Sequence, residues 1–235
     1  VNWAHPPSAP DLVPNVAHVW AVNLDRQTLL SYALSDLLSE DENERANRFR
    51  FAKDRRAFVS ARGSLRVILA QYLKCVPGEL PFSYGEYGKP YLSSQWVDSG
   101  LCFNLSHSSG MALVAVCDGH NIGVDVEHVD RRMGNRMQIA KRFFAPKEYE
   151  ALEALSEEDQ HRAFFYCWTR KEAFIKAVGE GLSYPLTNFE VNLDRDARLL
   201  HLAEGCVAEW TLRHLDPGSG YVAAVAIEGM GVEVE

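Results

Sequence analysis

No stretch of the 235 residues approaches the ~20 consecutive apolar positions a helix needs to cross a bilayer, so no membrane partner is expected. The opening VNWAHPPSAP lacks the basic flank and apolar core of an export signal, which points to a cytoplasmic setting. Cysteine is sparse and odd in number. Cys75, Cys102, Cys117, Cys167 and Cys206 include no C-x-x-C pair, which argues against a disulfide framework and a zinc site and agrees with a reducing compartment. Basic residues are outnumbered, 24 Lys and Arg against 32 Asp and Glu, for a net charge of −8. Such a surface does not attract nucleic acid as a whole, and any polyanion has to meet a local cluster. No G-x-S-x-G elbow surrounds a serine, and Ser106 and His107 are adjacent on a strand end where they rarely face each other, so serine hydrolysis is set aside.

What is present, 47% hydrophobic residues, suffices for the core of one large domain or two small ones. Proline-rich residues 1–15 read as an extended lead-in, and 16–24 as a first strand. Ser39 followed by Glu42 forms a capping-box start for a charged helix, and residues 54–74 place Phe58, Leu65, Ile68, Leu69 and Tyr72 near helical spacing. Gly85, Gly88 and Pro90 interrupt the chain, after which 101–105, 111–117 and 122–126 have strand length. Pro146 suits the first position of a helix, and 159–178 is a long aromatic-rich helical pattern ending at Gly179. Strands return near 189–193, 207–212 and 221–227. Helix-then-strands thus occurs twice, and RFRFAKD at 48–54 echoes RFFAPKE at 142–148, either as a duplication or as chance recurrence of a common helix entry. No low-complexity linker divides the chain, so an N-terminal half over 16–118 and a C-terminal half over 119–235 are expected to pack together.

Four short segments carry candidate chemistry. In GVDVE at 123–127 the carboxylates are two apart on a predicted strand, so Asp125 and Glu127 share a face, where they either bind a divalent cation or lie exposed to solvent. A D-x-E arises about once by accident in a chain this acidic. In WTRKEAFIKAVGEGL at 168–182, Glu172 and Lys176 stand at i and i+4, a spacing that also serves an ordinary surface ion pair. The setting among Phe164, Phe165, Tyr166, Trp168 and Phe174, just before the flexible Gly179-Glu-Gly181, favours a site. EYGKP at 86–90 is a turn presenting Lys89, and FNLSHS at 103–108 runs from a strand into hydroxyl residues.

In this order, EYGKP, FNLSHS, GVDVE and WTRKEAFIKAVGEGL resemble the surfactin-type 4′-phosphopantetheinyl transferases, over about residues 37–191. The resemblance implies an α+β fold of two similar α/β halves related by a pseudo-twofold axis, with coenzyme A in the cleft between them and Mg²⁺, or Mn²⁺, on its pyrophosphate. Carried over by position, Asp125, Glu127 and Glu172 are the metal carboxylates and Lys176 contacts the phosphates. Asn104, Ser106 and His107 hold the nucleotide end, with the turn of Glu86, Tyr87, Gly88, Lys89 and Pro90 beside it. Arg45 falls where the family often places a basic residue for the 3′-phosphate. Where some relatives have a lysine three positions earlier this chain has Glu42, and Ala57 falls opposite a family arginine, with Arg55 and Arg56 alongside.

The implied reaction moves phosphopantetheine from coenzyme A to a serine of a carrier protein of fatty-acid, polyketide or nonribosomal-peptide type, with Glu172 as the leading candidate for the base. Such carriers are acidic, so the acidic enzyme needs a local basic patch. Residues 131–147 hold six basic residues and no acid, with methionines interspersed. Arg131, Arg132, Met133, Arg136 and Met137 are the expected docking residues, against the alternative of a solvated basic helix. A monomer is expected. The rival classes are a metal-dependent phosphodiesterase or nuclease, which also uses D-x-E with a further glutamate and a lysine, and a non-catalytic carrier-binding module.

Overall fold

Helical spacing of apolar residues produces two helices of 22 residues, α3 (Ala52–Leu73) and α6 (Glu157–Val178), each ended by a residue in left-handed conformation, Lys74 and Gly179. A computed structural model of the chain describes residues 3–5, 7, 9–25, 31–130 and 134–235. Ahead of α3 come β1 (Val16–Asn23), α1 (Ser31–Ser35) and α2 (Glu40–Asn47), and after it β2 (Phe82–Tyr84), β3 (Pro90–Leu92), β4 (Leu101–Ser108) and β5 (Met111–Asp118). The second half begins with β6 (Ile122–His128), then α4 (Arg136–Phe143), α5 (Pro146–Glu153) and α6, and ends with β7 (Phe189–Val191), β8 (Leu199–Leu202), β9 (Trp210–Leu215), β10 (Tyr221–Glu228) and β11 (Glu233–Val234).

Both halves repeat one topology. Apart from β11, the first sheet runs β1-β5-β4, and the second runs β6-β10-β9, each with its half's first strand at one side, its half's last in the middle, and a long helix in the chain between the two outer strands. Four layers result. Leu65, Ile68 and Leu69 of α3 pack on Leu101, Phe103, Val114 and Val116. The opposite face of that sheet, through Ala17, Val19, Leu113 and Ala115, meets Val124, Val126, Leu215, Ala223 and Val225 of the second sheet. Phe164, Phe165 and Phe174 of α6 cover the outer face of the second sheet at Leu212, Val222, Ala224 and Ala226. These aromatics are core packing. The strand expected at 207–212 starts at Trp210, after a 3-10 turn over Val207–Glu209. The short α1, β2, β3, β8 and β11 carry no clear sequence signal, and β11 crosses back to pair parallel with β1.

A buried ion pair recurs in the same place in each half. Glu42, third residue of α2, accepts the Ser39 N–H at 3.0 Å and the Arg66 Nε–H at 2.7 Å; Arg66 also donates to the carbonyls of Pro77 and Leu80. Glu148, third residue of α5, accepts the Ala145 N–H at 2.7 Å and pairs with Lys171 at 2.8 Å; Lys171 also donates to the carbonyls of Leu186 and Phe189. Arg66 and Lys171 are both fifteenth in their helices. The repeat therefore matches α2 with α5 and α3 with α6. The RFRFAKD and RFFAPKE segments are not its equivalent parts, since Asp54 lies in the first turn of α3 and Glu148 in that of α5. Shared basic-aromatic composition, not shared position, made them look alike.

Candidate active site

Gly123 determines how closely α6 can approach β6. A Cβ at this position would lie 2.1 Å from the Ala173 carbonyl oxygen and 2.3 Å from the Ala177 nitrogen, both backbone atoms that cannot swing aside. The helix therefore rests directly on the strand, and Lys176 reaches Asp125: its Nζ donates to Asp125 Oδ1 at 2.6 Å, Ser106 Oγ at 3.0 Å and the Val124 carbonyl at 3.3 Å. Gly123→Ala should cost at least about 1–3 kcal/mol through overpacking and, by separating this pair, lower the rate of whatever reaction the site supports. A thermal melt and a rate measurement on one preparation check both; wild-type values for each would show that the contact is not required.

The second constraint is the seam between the halves. Asn104 Oδ1 accepts the Val124 N–H at 3.0 Å, Ser106 Oγ the Val126 N–H at 3.4 Å and Ser108 Oγ the His128 N–H at 3.2 Å. Alternate side chains of β4 thus take up the open backbone edge of β6. The hydroxyls also reach the carboxylates, Ser106 Oγ donating to Asp125 Oδ1 at 2.9 Å and Ser108 Oγ to Glu127 Oε2 at 2.7 Å. Asp125 and Glu127 are 5% and 6% exposed, so the site is closed to bulk water on this side. Burial holds the Asp125 carboxyl above its ordinary range, opposed by Lys176 and reinforced by Glu127. Asp125 Oδ2 is buried with no hydrogen-bond partner. Such an oxygen is costly to leave unpaired, and it is a fitting ligand for a cation.

The structure unites Asp125, Glu127, Ser106 and Lys176 and leaves other expectations apart. Among the described residues no three His, Cys, Asp or Glu side chains form a group able to hold a metal, so the expected convergence of Asp125, Glu127 and Glu172 is not seen as a ligand set. Lys176 stands on Asp125 instead. Glu172 is half-buried on α6, one turn before Lys176. Lys89 donates to the carbonyls of Ile122 and Ala177, both at 3.1 Å, and burial pushes its amine down to about 8. It ties the turn to β6 and to the carbonyl end of α6. Glu86, Tyr87 and Gly88 beside it are exposed, and Pro90 opens β3. Asn104 and Ser106 both bond the seam, and Ser106 also bonds Asp125 and Lys176, whereas His107 lies on the exposed side of β4.

Arg45 is exposed in the last turn of α2, 5.5 Å from the Phe58 ring centroid, with Arg55 and Arg56 exposed nearby in sequence on α3. Glu42 is not a vacant phosphate position; it is the buried anchor of Arg62 and Arg66. Of the docking segment, Arg131, Arg132 and Met133 lie outside the described residues. Arg136 is half-buried at the start of α4, and Met137 packs against the second-half core, which removes part of it from any docking surface. Sequence reasoning missed Ser108 and Gly123 as site residues, although S-x-S and D-x-E share a period of two.

Residues 121–226 match the 4′-phosphopantetheinyl transferase superfamily, and residues 26–118 match the 4′-phosphopantetheinyl transferase N-terminal family. The 4′-phosphopantetheinyl transferase HetI of Nostoc sp. is 41% identical over 231 residues, covering 98% of this chain and 95% of its own. The chain belongs to the 4′-phosphopantetheinyl transferase family. Sfp of Bacillus subtilis is 32% identical to this transferase over 162 residues, 69% of each chain. The crystal structure of Thermotoga maritima holo-[acyl-carrier-protein] synthase overlaps 47% of the transferase and 63% of its own chain, with a TM-score of 0.36 and 20% identity. No described helix of the transferase is long and apolar enough to cross a membrane.

Proposed function

We propose that the transferase moves the 4′-phosphopantetheine group of coenzyme A onto a serine of an apo carrier protein and releases adenosine 3′,5′-bisphosphate. The observation that carries this reading is the buried, unpartnered Asp125 Oδ2 beside the Lys176 ammonium, on the motifs that the family shares. Asp125 and Glu127, side by side on β6, would hold Mg²⁺ or Mn²⁺, which when bound neutralises charge on the pyrophosphate, with Glu172 of α6 outside that pair. The orphaned oxygen and the paired carboxylates fit such an ion.

Positioning and charge neutralisation are what phosphoryl transfer asks of a protein. Lys176, 27% exposed at its side chain, has a face open to a pyrophosphate and offsets negative charge as the phosphorus–oxygen bond to the departing nucleotide breaks. The serine oxygen forms the new bond to that phosphorus, and Glu172 takes its proton. Exposed Arg45, Arg55 and Arg56 would meet the 3′-phosphate, and the turn of Glu86, Tyr87 and Gly88 the nucleotide base. Intact mass spectrometry of several apo carriers with enzyme, coenzyme A and magnesium tests the reaction. A mass gain of one phosphopantetheine group is expected on at least one carrier; an unchanged mass on all fatty-acid, polyketide and peptide carriers would end the proposal.

Carrier docking is assigned to the basic stretch that includes Arg136, Lys141 and Arg142, the last two exposed on α4. Reversing Arg132 and Arg136 to glutamate should raise KM for the carrier roughly tenfold and leave that for coenzyme A unchanged. Steady-state kinetics with each substrate varied in turn decides this, and an unaltered carrier KM places docking elsewhere.

A further inference from the structure

We infer that Ser108 is a positioning residue for the reaction, holding Glu127 in the orientation in which it serves a divalent cation. The inference rests on the metal reading of Asp125 and Glu127 and adds to it a residue outside the carboxylate set. A serine hydroxyl ordinarily rotates to suit its surroundings and can donate in any direction. That of Ser108 cannot, because it is 5% exposed and accepts the His128 N–H at 3.2 Å. With a lone pair committed to the main chain, its proton is directed to Glu127 Oε2 at 2.7 Å. Ser106 repeats the arrangement two residues earlier, accepting from Val126 N–H and Lys176 Nζ and donating to Asp125 Oδ1.

The register makes this a built device. Asn104, Ser106 and Ser108 each meet the N–H twenty residues ahead, at Val124, Val126 and His128, while the two serines meet the carboxylates nineteen ahead. The third rung has no carboxylate to hold, since nineteen residues beyond Asn104 stands Gly123, where α6 leaves no room for a side chain. Each serine thus uses one oxygen of its carboxylate and turns the group as a whole. Partners of this kind orient ligands and raise affinity, and losing one typically weakens metal binding about 10–100-fold.

The test reads Mn²⁺ affinity of the intact enzyme by electron paramagnetic resonance of the free ion, with neither coenzyme A nor carrier present, for wild type, Ser108→Ala, Glu127→Gln and the double variant. Ser108→Ala should bind Mn²⁺ about tenfold more weakly, and the double variant no more weakly than Glu127→Gln, because the hydroxyl acts through that carboxylate. Ser108→Cys, close in volume and a poor donor, should behave as the alanine variant and serves where alanine melts too early. Wild-type affinity in both Ser108 variants, with Glu127→Gln weakened, overturns the positioning role and leaves the metal reading standing. Additive losses in the double variant overturn it as well. Wild-type affinity in Glu127→Gln removes the metal reading itself, and the role of Ser108 with it.

Discussion

Asp125→Asn should keep the fold and lose transfer by at least about 10²–10³-fold in kcat, the scale on which single preorganised charges act in closed sites. The amide matches the carboxylate in shape, so packing at the 5% exposed position is preserved. Three things change together. Lys176 loses its 2.6 Å counter-charge, Ser106 loses a charged acceptor, and the unpartnered Oδ2 becomes a poor cation ligand or is exchanged for an amide nitrogen. A melting temperature within a few degrees of wild type, together with no detectable carrier mass gain, is the expected pair of results. A variant that turns over at the wild-type rate would show that the carboxylate has no part in the chemistry.

The largest effect on stability is expected at Lys171. Its ammonium is fully buried, pairs with Glu148 at 2.8 Å and donates to the carbonyls of Leu186 and Phe189. Lys171→Met strands a carboxylate and two carbonyls in the core at about 3–5 kcal/mol, a large share of the ~5–15 kcal/mol that holds a protein folded. Denaturant titration measures it, and a loss under about 1 kcal/mol would mean that the pair is not a structural anchor. The pH dependence has a definite sign. Burial already holds the Glu148 carboxyl above its ordinary range against the pull of Lys171, and without the lysine it rises further. A carboxyl that binds its proton more tightly folded than unfolded adds stability as pH falls through the window above its ordinary pKa. The defect of Lys171→Met should therefore shrink toward mildly acidic pH. Arg66→Met, at the matching position of the first half, should show a loss of the same order.

These two sites differ in how far they could be read from the chain. Asp125, Glu127, Glu172 and Lys176 stand in segments whose spacing alone placed each pair on one face of a strand or helix. The long helices and the strands around Val114 and Val225 followed from apolar periodicity in the same way. The anchors were not legible. Glu42 and Glu148 look like ordinary first-turn acids, and Arg66 and Lys171 like ordinary helix cations, because partners 23 or 24 positions away leave no local pattern. Gly123 reads as one member of the GVDVE segment, and only the arrival of α6 on β6 shows what its missing side chain allows. A lysine in a turn and a serine at a strand end look available to a ligand, and no local pattern shows that Lys89 also donates to the carbonyls of Ile122 and Ala177 or that Ser106 also bonds the edge of β6.

The parallel pairing of β11 with β1 bears on the order in which the molecule can be completed. Val16 and Ala17 find their outer neighbours only at Glu233 and Val234, and the Val19 N–H its acceptor only at Glu235. During synthesis, residues 16–118 emerge before the second half and can form the long helix α3 and the three sheet strands β1, β5 and β4, but one flank of β1 stays uncovered until more than a hundred further residues have followed. An uncovered strand flank is a template for pairing with other chains. The nascent first half is thus the stage at which self-association has its opening, and removal of residues 233–235 would make that opening permanent.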